Sequence, residues 1–166
     1  MRKPAIQVET MLPEHWPEVA RIFREGMETG LASLETEVPS WEEWDAHHLP
    51  HCRFLARIEG RVDGWAALAP VSHRKAYAGV AEVSVYVGKN HRGIGVGGVL
   101  LDQLIECSER NGIWTLQAIV FEENRPSLRL HQKCGFRVVG KRERIAPYRG
   151  RWVSTFLLER RSARVG

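Results

Sequence analysis

Apolar and polar positions alternate most regularly between Val80 and Val87, where Ala81, Val83, Val85 and Val87 interleave with Glu82, Ser84 and Tyr86. A period of two is the mark of a half-buried strand, and it puts Glu82 on the face opposite the valines. Ile6 to Thr10 reads as a short strand. Pro13 to Gly26 reads as an amphipathic helix with Trp16, Val19, Ala20 and Phe23 on one face. The segment from Thr29 to Pro39 has no period. Ser40-Trp41-Glu42-Glu43 then matches a capping box, so a second short helix should start at Trp41. Arg53 to Glu59 and Val62 to Ala69 read as a hairpin turning at Gly60-Arg61.

After the central strand come Gly88 to Arg92, the run Gly93-Ile94-Gly95-Val96-Gly97-Gly98, and Val99, Leu100, Leu104 and Ile105 at helical spacing up to Gly112. Trp114 to Phe121 reads as another strand. Pro126 opens a helix that stops at Gly135, and Phe136 to Lys141 and Trp152 to Glu159 read as closing strands. No internal repeat or interdomain linker interrupts this order, so the 166 residues are read as one α/β domain.

Composition narrows the class. With 43% hydrophobic and 27% charged residues the chain is globular, and no apolar run reaches the roughly 18 residues of a membrane span. The N-terminal segment lacks the apolar stretch of a secretory signal, so a cytoplasmic location is expected. The net charge of +4 favours anionic ligands. Its 24 basic and 20 acidic residues are interleaved, which suits a polyphosphate ligand better than nucleic acid. Cys52, Cys107 and Cys134 are odd in number and widely spaced, so reduced thiols are expected. His47, His48, His51 and Cys52 fit no familiar zinc spacing, Pro50 interrupts any helix there, and no metal is expected.

Glycines opening a helix let backbone N–H groups converge on a phosphate, where the helix dipole adds positive charge. Gly93-x-Gly95-x-x-Gly98 formally matches a dinucleotide-binding fingerprint, with Glu122 or Glu123 as ribose partner. In that fold, however, the first glycine follows its strand directly, whereas five residues intervene here. Too little chain follows for a doubly wound nucleotide domain. A glycine turn without a ligand is the plainer alternative.

Arg92-Gly93-Ile94-Gly95-Val96-Gly97 resembles the coenzyme A pyrophosphate loop, Gln/Arg-x-x-Gly-x-Gly/Ala, of the GNAT acetyltransferase superfamily. Glu123-Asn124-x-x-Ser127-x-x-Leu130-His131-x-x-x-Gly135-Phe136 resembles the second half of the same core. The phosphinothricin N-acetyltransferase branch, which includes enzymes acting on methionine sulfoximine and methionine sulfone, is similar over nearly the whole chain. The matching segments include Leu34-Glu35-Thr36-Glu37, Glu82-x-Ser84-Val85-Tyr86-Val87 and Gly150-Arg151-Trp152. Ser154 stands where the branch usually has Asp, and Tyr148-Arg149 where it has Lys-Phe.

The resemblance implies a GNAT-like mixed, mostly antiparallel sheet flanked by helices and splayed between the Val80 to Val87 and Trp114 to Phe121 strands. It implies acetyl-CoA as cosubstrate. Arg92 and the N–H groups of Gly93, Ile94, Gly95, Val96 and Gly97 would hold the pyrophosphate. The main chain of Val85, Tyr86 and Val87 would lie along the pantetheine arm, and Asn124 would hydrogen-bond that arm or merely cap a helix.

Glu82, partly desolvated on its strand, is the candidate general base, with a surface carboxylate as the plainer alternative. His131 occupies the neighbourhood where many GNAT enzymes place a proton-donating tyrosine. Tyr86 and Tyr148 are other options, and a good thiolate leaving group needs no dedicated acid. Glu35, Thr36 and Arg74 are candidate contacts to the acceptor, Arg74 through a forked pair of hydrogen bonds to a carboxylate or phosphinate. The expected acceptor is the amine of a small amino acid or analogue, with no nucleic acid or membrane partner. A protein or peptide N-acetyltransferase and a non-catalytic acyl-CoA sensor are the rivals. A homodimer is implied by the resemblance alone.

Overall fold

In a computed structural model, which describes residues 2–166, seven strands form one sheet in the order β1-β2-β3-β4-β5-β7-β6. The strands are β1 (Ile6–Thr10), β2 (Phe54–Ile58), β3 (Arg61–Pro70), β4 (Val80–Val87), β5 (Thr115–Phe121), β6 (Arg137–Tyr148) and β7 (Arg151–Arg161). The helices are α1 (Trp16–Glu28), α2 (Trp41–His47), α3 (Val96–Arg110) and α4 (Arg125–Lys133). All neighbouring strands are antiparallel except β4 and β5, joined by the crossover through α3. This is the mixed, mostly antiparallel sheet expected from the sequence.

Period-two alternation in β4 sends Ala81 and Val83 into a core with Val96, Leu100, Leu101 and Leu104 of α3, while Tyr86 packs on the other face. There, Val19, Ile22, Phe23 and Met27 of α1 and Trp44 of α2 cover Leu55, Trp65 and Ala67. Each of the larger side chains among these, such as Val19, Ile22 and Leu55, contributes about 1.5 to 3 kcal/mol when fully buried. The capping box opens α2 as expected: Ser40 Oγ accepts from the Glu43 amide and Glu43 Oε1 accepts from the Ser40 amide.

Four local expectations shift. α1 runs through Gly26 to Glu28, because the glycine is used for close approach rather than as a stop: a Cβ there would lie 2.6 Å from Tyr86 Cδ2. The β2–β3 hairpin turns at Glu59-Gly60, both left-handed at φ 52° and 77°, one residue before the expected turn. β6 continues beyond Lys141 to Tyr148 through a register shift between Arg142 and Ala146, since its charged, exposed residues carry no alternation to read. Finally, Cys52 and Cys107 are disulfide-bonded rather than reduced, with Cα atoms 5.7 Å apart, and only Cys134 is free. Chain folding brings the loop before β2 under α3, a proximity that a 55-residue separation conceals.

Candidate active site

β4 and β5 share only three rungs, Val80 with Thr115, Ala81 with Leu116 and Glu82 with Gln117. Past Glu82 each strand keeps its other neighbour, β4 pairing with β3 as far as Val87 and β5 pairing with β7 as far as Phe121. The sheet therefore splits like a V with Glu82 and Gln117 at its apex. A cavity of about 330 Å³ opens there, lined by Glu82, Val83, Ser84, Val85 and Tyr86 of β4 and by Ala118, Ile119 and Phe121 of β5.

At the far end of β4 a 3-10 turn, Lys89–His91, leads into the glycine loop. Gly93 and Gly95 are left-handed at φ 78° and 96°, and Gly95 is the N-cap of α3. The Val99 amide is the one that returns to the Gly95 carbonyl, so the amides before it form the open first turn of the helix. A Cβ at Gly93 or Gly95 would meet nothing within 4 Å, so the loop presents open backbone on that side. Arg92 stays exposed, donating from Nε to the Val87 carbonyl at 3.2 Å and from an Nη to the Glu25 carbonyl at 3.3 Å.

Beneath this loop lies a network that sequence reasoning missed. Asp63 of β3, with its side chain wholly buried, accepts from Arg21 at 3.1 Å and pairs with His91 Nδ1. Glu25 accepts from Arg21 and from the Lys89 amide. The signal was a lone acid in the otherwise apolar strand Val62 to Ala69.

Of the residues singled out from the sequence, Glu82, Tyr86, Asn124, His131 and Glu35 meet at the cavity; Thr36 and Arg74 do not line it. Arg74 is exposed before a 3-10 turn, its guanidinium 5.9 Å from the Tyr77 ring centroid. Asn124 caps α4, accepting from the Ser127 amide at 3.3 Å, and donates to the Leu31 carbonyl at 3.2 Å, tying the aperiodic loop to the cavity wall. The Tyr86 ring packs against both Trp65 and Phe23, centroids 4.7 and 5.0 Å away, in a three-ring cluster whose other two rings are 5.8 Å apart, and burial pushes its hydroxyl pKa up to about 12. It therefore stays protonated at any physiological pH.

Two histidines line the cavity as fixed tautomers. A carbonyl can only accept, so His131 Nδ1 carries the hydrogen it donates to the Ser127 carbonyl at 2.7 Å. His48 Nδ1 likewise donates to the Trp44 carbonyl at 2.7 Å, with its ring stacked on Trp44. Burial lowers the pKa of both, which leaves each Nε2 a lone pair when neutral. From sequence His48 had been weighed only as part of a metal cluster. Cys52 of that cluster is committed to Cys107, and His47 Nδ1 donates to the Glu43 carbonyl.

The site thus presents a strand leading into a glycine loop that opens a helix, beside a sheet parted at a carboxylate. The pattern of the Acetyltransferase (GNAT) family matches residues 16–136, and the chain belongs to that family. It is 33% identical over 165 residues to the phosphinothricin N-acetyltransferase of Alcaligenes faecalis, covering 94% of this chain and 82% of that one. It is also 33% identical over 99 residues to the L-methionine sulfoximine/L-methionine sulfone acetyltransferase of Pseudomonas paraeruginosa, 59% of this chain and 58% of that one. Among solved structures, a phosphinothricin acetyltransferase from Sinorhizobium meliloti in complex with AcCoA superposes with a TM-score of 0.84 at 25% identity, over 94% of this chain and 88% of that one.

Proposed function

We propose that the protein transfers the acetyl group of acetyl-CoA to the amine of a small amino acid or analogue of the phosphinothricin, methionine sulfoximine or methionine sulfone type. The observation that carries this reading is the parting of β4 and β5 directly above Glu82, with the open first turn of α3 at the far end of β4.

The residues suit acetyl-CoA. The left-handed Gly93 and Gly95 leave Ile94, Val96 and Gly97 amides at a helix N-terminus, where a pyrophosphate is favoured, and Arg92 adds a cation beside them. The β4 main chain of Val85, Tyr86 and Val87, no longer paired to β5, offers fixed donors and acceptors to a pantetheine amide and to the acetyl oxygen. When bound, acetyl-CoA supplies an activated thioester.

Glu82 takes one proton from the acceptor's ammonium, directly or through water, leaving a neutral nitrogen. As the C–N bond forms and the C–S bond breaks, the nitrogen gives up a second proton and the sulfur gains one. His131 serves that exchange, because its free Nε2 must accept a proton before it donates one. Glu35, from the loop over the cavity, contacts the acceptor. Thr36 and Arg74 reach it only if their loops close inward.

The reading includes a homodimer, formed through the exposed Leu34, Ile145 and Trp152. It also includes a cytoplasmic location; no helix among the described residues is long and apolar enough to cross a membrane.

The test is thiol release from acetyl-CoA against phosphinothricin, methionine sulfoximine, methionine sulfone, the common amino acids, polyamines and short peptides. Turnover confined to amino acids or the three analogues is expected. Turnover only with peptides would replace the acceptor class, and binding of acetyl-CoA without turnover of any amine would make the protein a sensor.

A further inference from the structure

Gln117 stands opposite Glu82 on the last rung that β4 and β5 share, and its Nε2 donates a 2.8 Å hydrogen bond to Glu82 Oε1. Neighbours across a rung leave the same face of a sheet. Here Ser84 and Ile119, two residues further along each strand, share that face and line the cavity. The amide is thus planted at the apex of the cleft, where the backbone is still held by ladder bonds on both sides. Gln117 itself does not line the cavity. It touches the carboxylate from the closed side of the fork.

The geometry points to Gln117 as the positioning residue for the catalytic carboxylate: it holds Oε1 and so leaves Oε2 as the oxygen that meets the acceptor's proton. This role rests on the reading of Glu82 as the base. A carboxylate on a flexible two-methylene stem loses rate if it must find its rotamer during the reaction, and a fixed donor removes that search. The chemistry of the donor matters as well. Lys or Arg in the same place would orient Glu82 but also neutralise it, making it a poor proton acceptor, whereas an amide orients it with a much weaker electrostatic cost.

The other ionisable groups near Glu82 are few. On β3 its partner is Ala69, and beyond Gln117 on β7 stands Glu159, which is tied to Arg137 at 2.6 Å. Glu35, His48, Tyr86 and His131 line the same cavity. A pH limb belonging to Glu82 must therefore be told apart from limbs of the two histidines. Glu82→Gln does this by abolishing the Glu82 limb alone.

The experiment compares the full chain with Gln117→Leu, Gln117→Glu and Glu82→Gln, using the best amine from the panel above. For each protein kcat, the KM for acetyl-CoA, the pH profile and the Tm are measured. Gln117→Leu keeps the volume and removes the donor. Its kcat should fall about tenfold, the low end expected for losing a hydrogen bond to a charged group. Its KM for acetyl-CoA should stay within about twofold, because the pyrophosphate loop is untouched.

The acidic limb of the profile should move up, since the ionised form has lost its donor. Gln117→Glu should move it further, because two adjoining carboxylates share one proton. A wild-type kcat with an unmoved limb in both variants would overturn the role. So would a parallel change in kcat, KM and Tm without a shift of the limb, which marks a structural residue. If Glu82→Gln turns over at the wild-type rate, the base assignment itself falls, and Gln117 with it. If Glu82→Gln is slow and the Gln117 variants are normal, only the positioning role falls.

Discussion

The buried carboxylate of Asp63 lies against Gly88 so closely that a Cβ on Gly88 would overlap it, and the Gly88 amide donates to the Asp63 carbonyl at 2.8 Å. That contact lets β4 end where the Arg21–Asp63–His91 network begins, so the glycine loop is braced from below by a charged group that cannot move into water. Gly88→Ala forces the carboxylate off Arg21 and His91. We expect a loss of about 3 kcal/mol in stability, the upper end for overpacking with a buried charge displaced. We also expect affinity for acetyl-CoA to fall about tenfold. Denaturant unfolding and calorimetric titration check both; unchanged affinity in a folded variant would detach the network from the loop.

His48 and His131 set a pH dependence of stability. Burial holds both folded-state pKa values below that of an unfolded histidine, partly offset by the backbone carbonyl each one meets. The unfolded chain therefore binds more protons in the interval between the two values, and stability rises with pH across it. The contribution is fully present above about pH 6.5 and is lost as the pH falls through the depressed folded values. Unfolding free energies measured between pH 7.5 and pH 5 should decline, and His48→Asn should flatten part of that decline. An equally steep decline in the variant would assign it to other groups.

The Cys52–Cys107 bond predicts one reactive thiol, Cys134, when the protein is denatured without reductant, and three after reduction. The bridge joins the loop before β2 to the last turns of α3, across 55 residues. Reduction should cost about 3 to 4 kcal/mol if the bridge acts by restricting the unfolded chain. Titration of three thiols in non-reduced, freshly purified protein would place the chain in its dithiol form.

How much of this could be read from the sequence follows from how local each feature is. The strand at Val80–Val87, the capping box at Ser40 and the glycine loop are each encoded by neighbouring residues, and each stands where the pattern put it. The fork between β4 and β5 came from family resemblance, because strand pairing carries no signature within one strand. Gln117, Asp63 and His48 were illegible for the same reason: each matters through a partner 28 to 42 residues away or through a fixed tautomer. The second half of β6 hid because an exposed edge strand of charged residues has no apolar face to alternate. Arg74 looked like an acceptor contact on residue type alone, and nothing in its segment could say that the cavity lies elsewhere.

The tautomer of His131 makes its role separable from its packing. Nδ1–H is committed to Ser127, and the ring sits edge-on to Phe136 at 5.3 Å, so only Nε2 is left for proton exchange. An asparagine amide nitrogen lies where Nδ1 lies and can keep the bond to Ser127, while offering nothing at the Nε2 position. His131→Asn should thus fold normally and bind acetyl-CoA with nearly unchanged affinity, yet lose about a hundredfold in kcat, the usual worth of a positioned proton carrier. The loss should shrink for an acceptor amine of lower basicity, whose proton leaves more readily without help. A variant with wild-type kcat would mean that the thiolate departs unassisted and that His131 serves only to seat α4 against β6, whereas a variant that fails to fold would show the Nδ1–H bond alone to be insufficient for that seating.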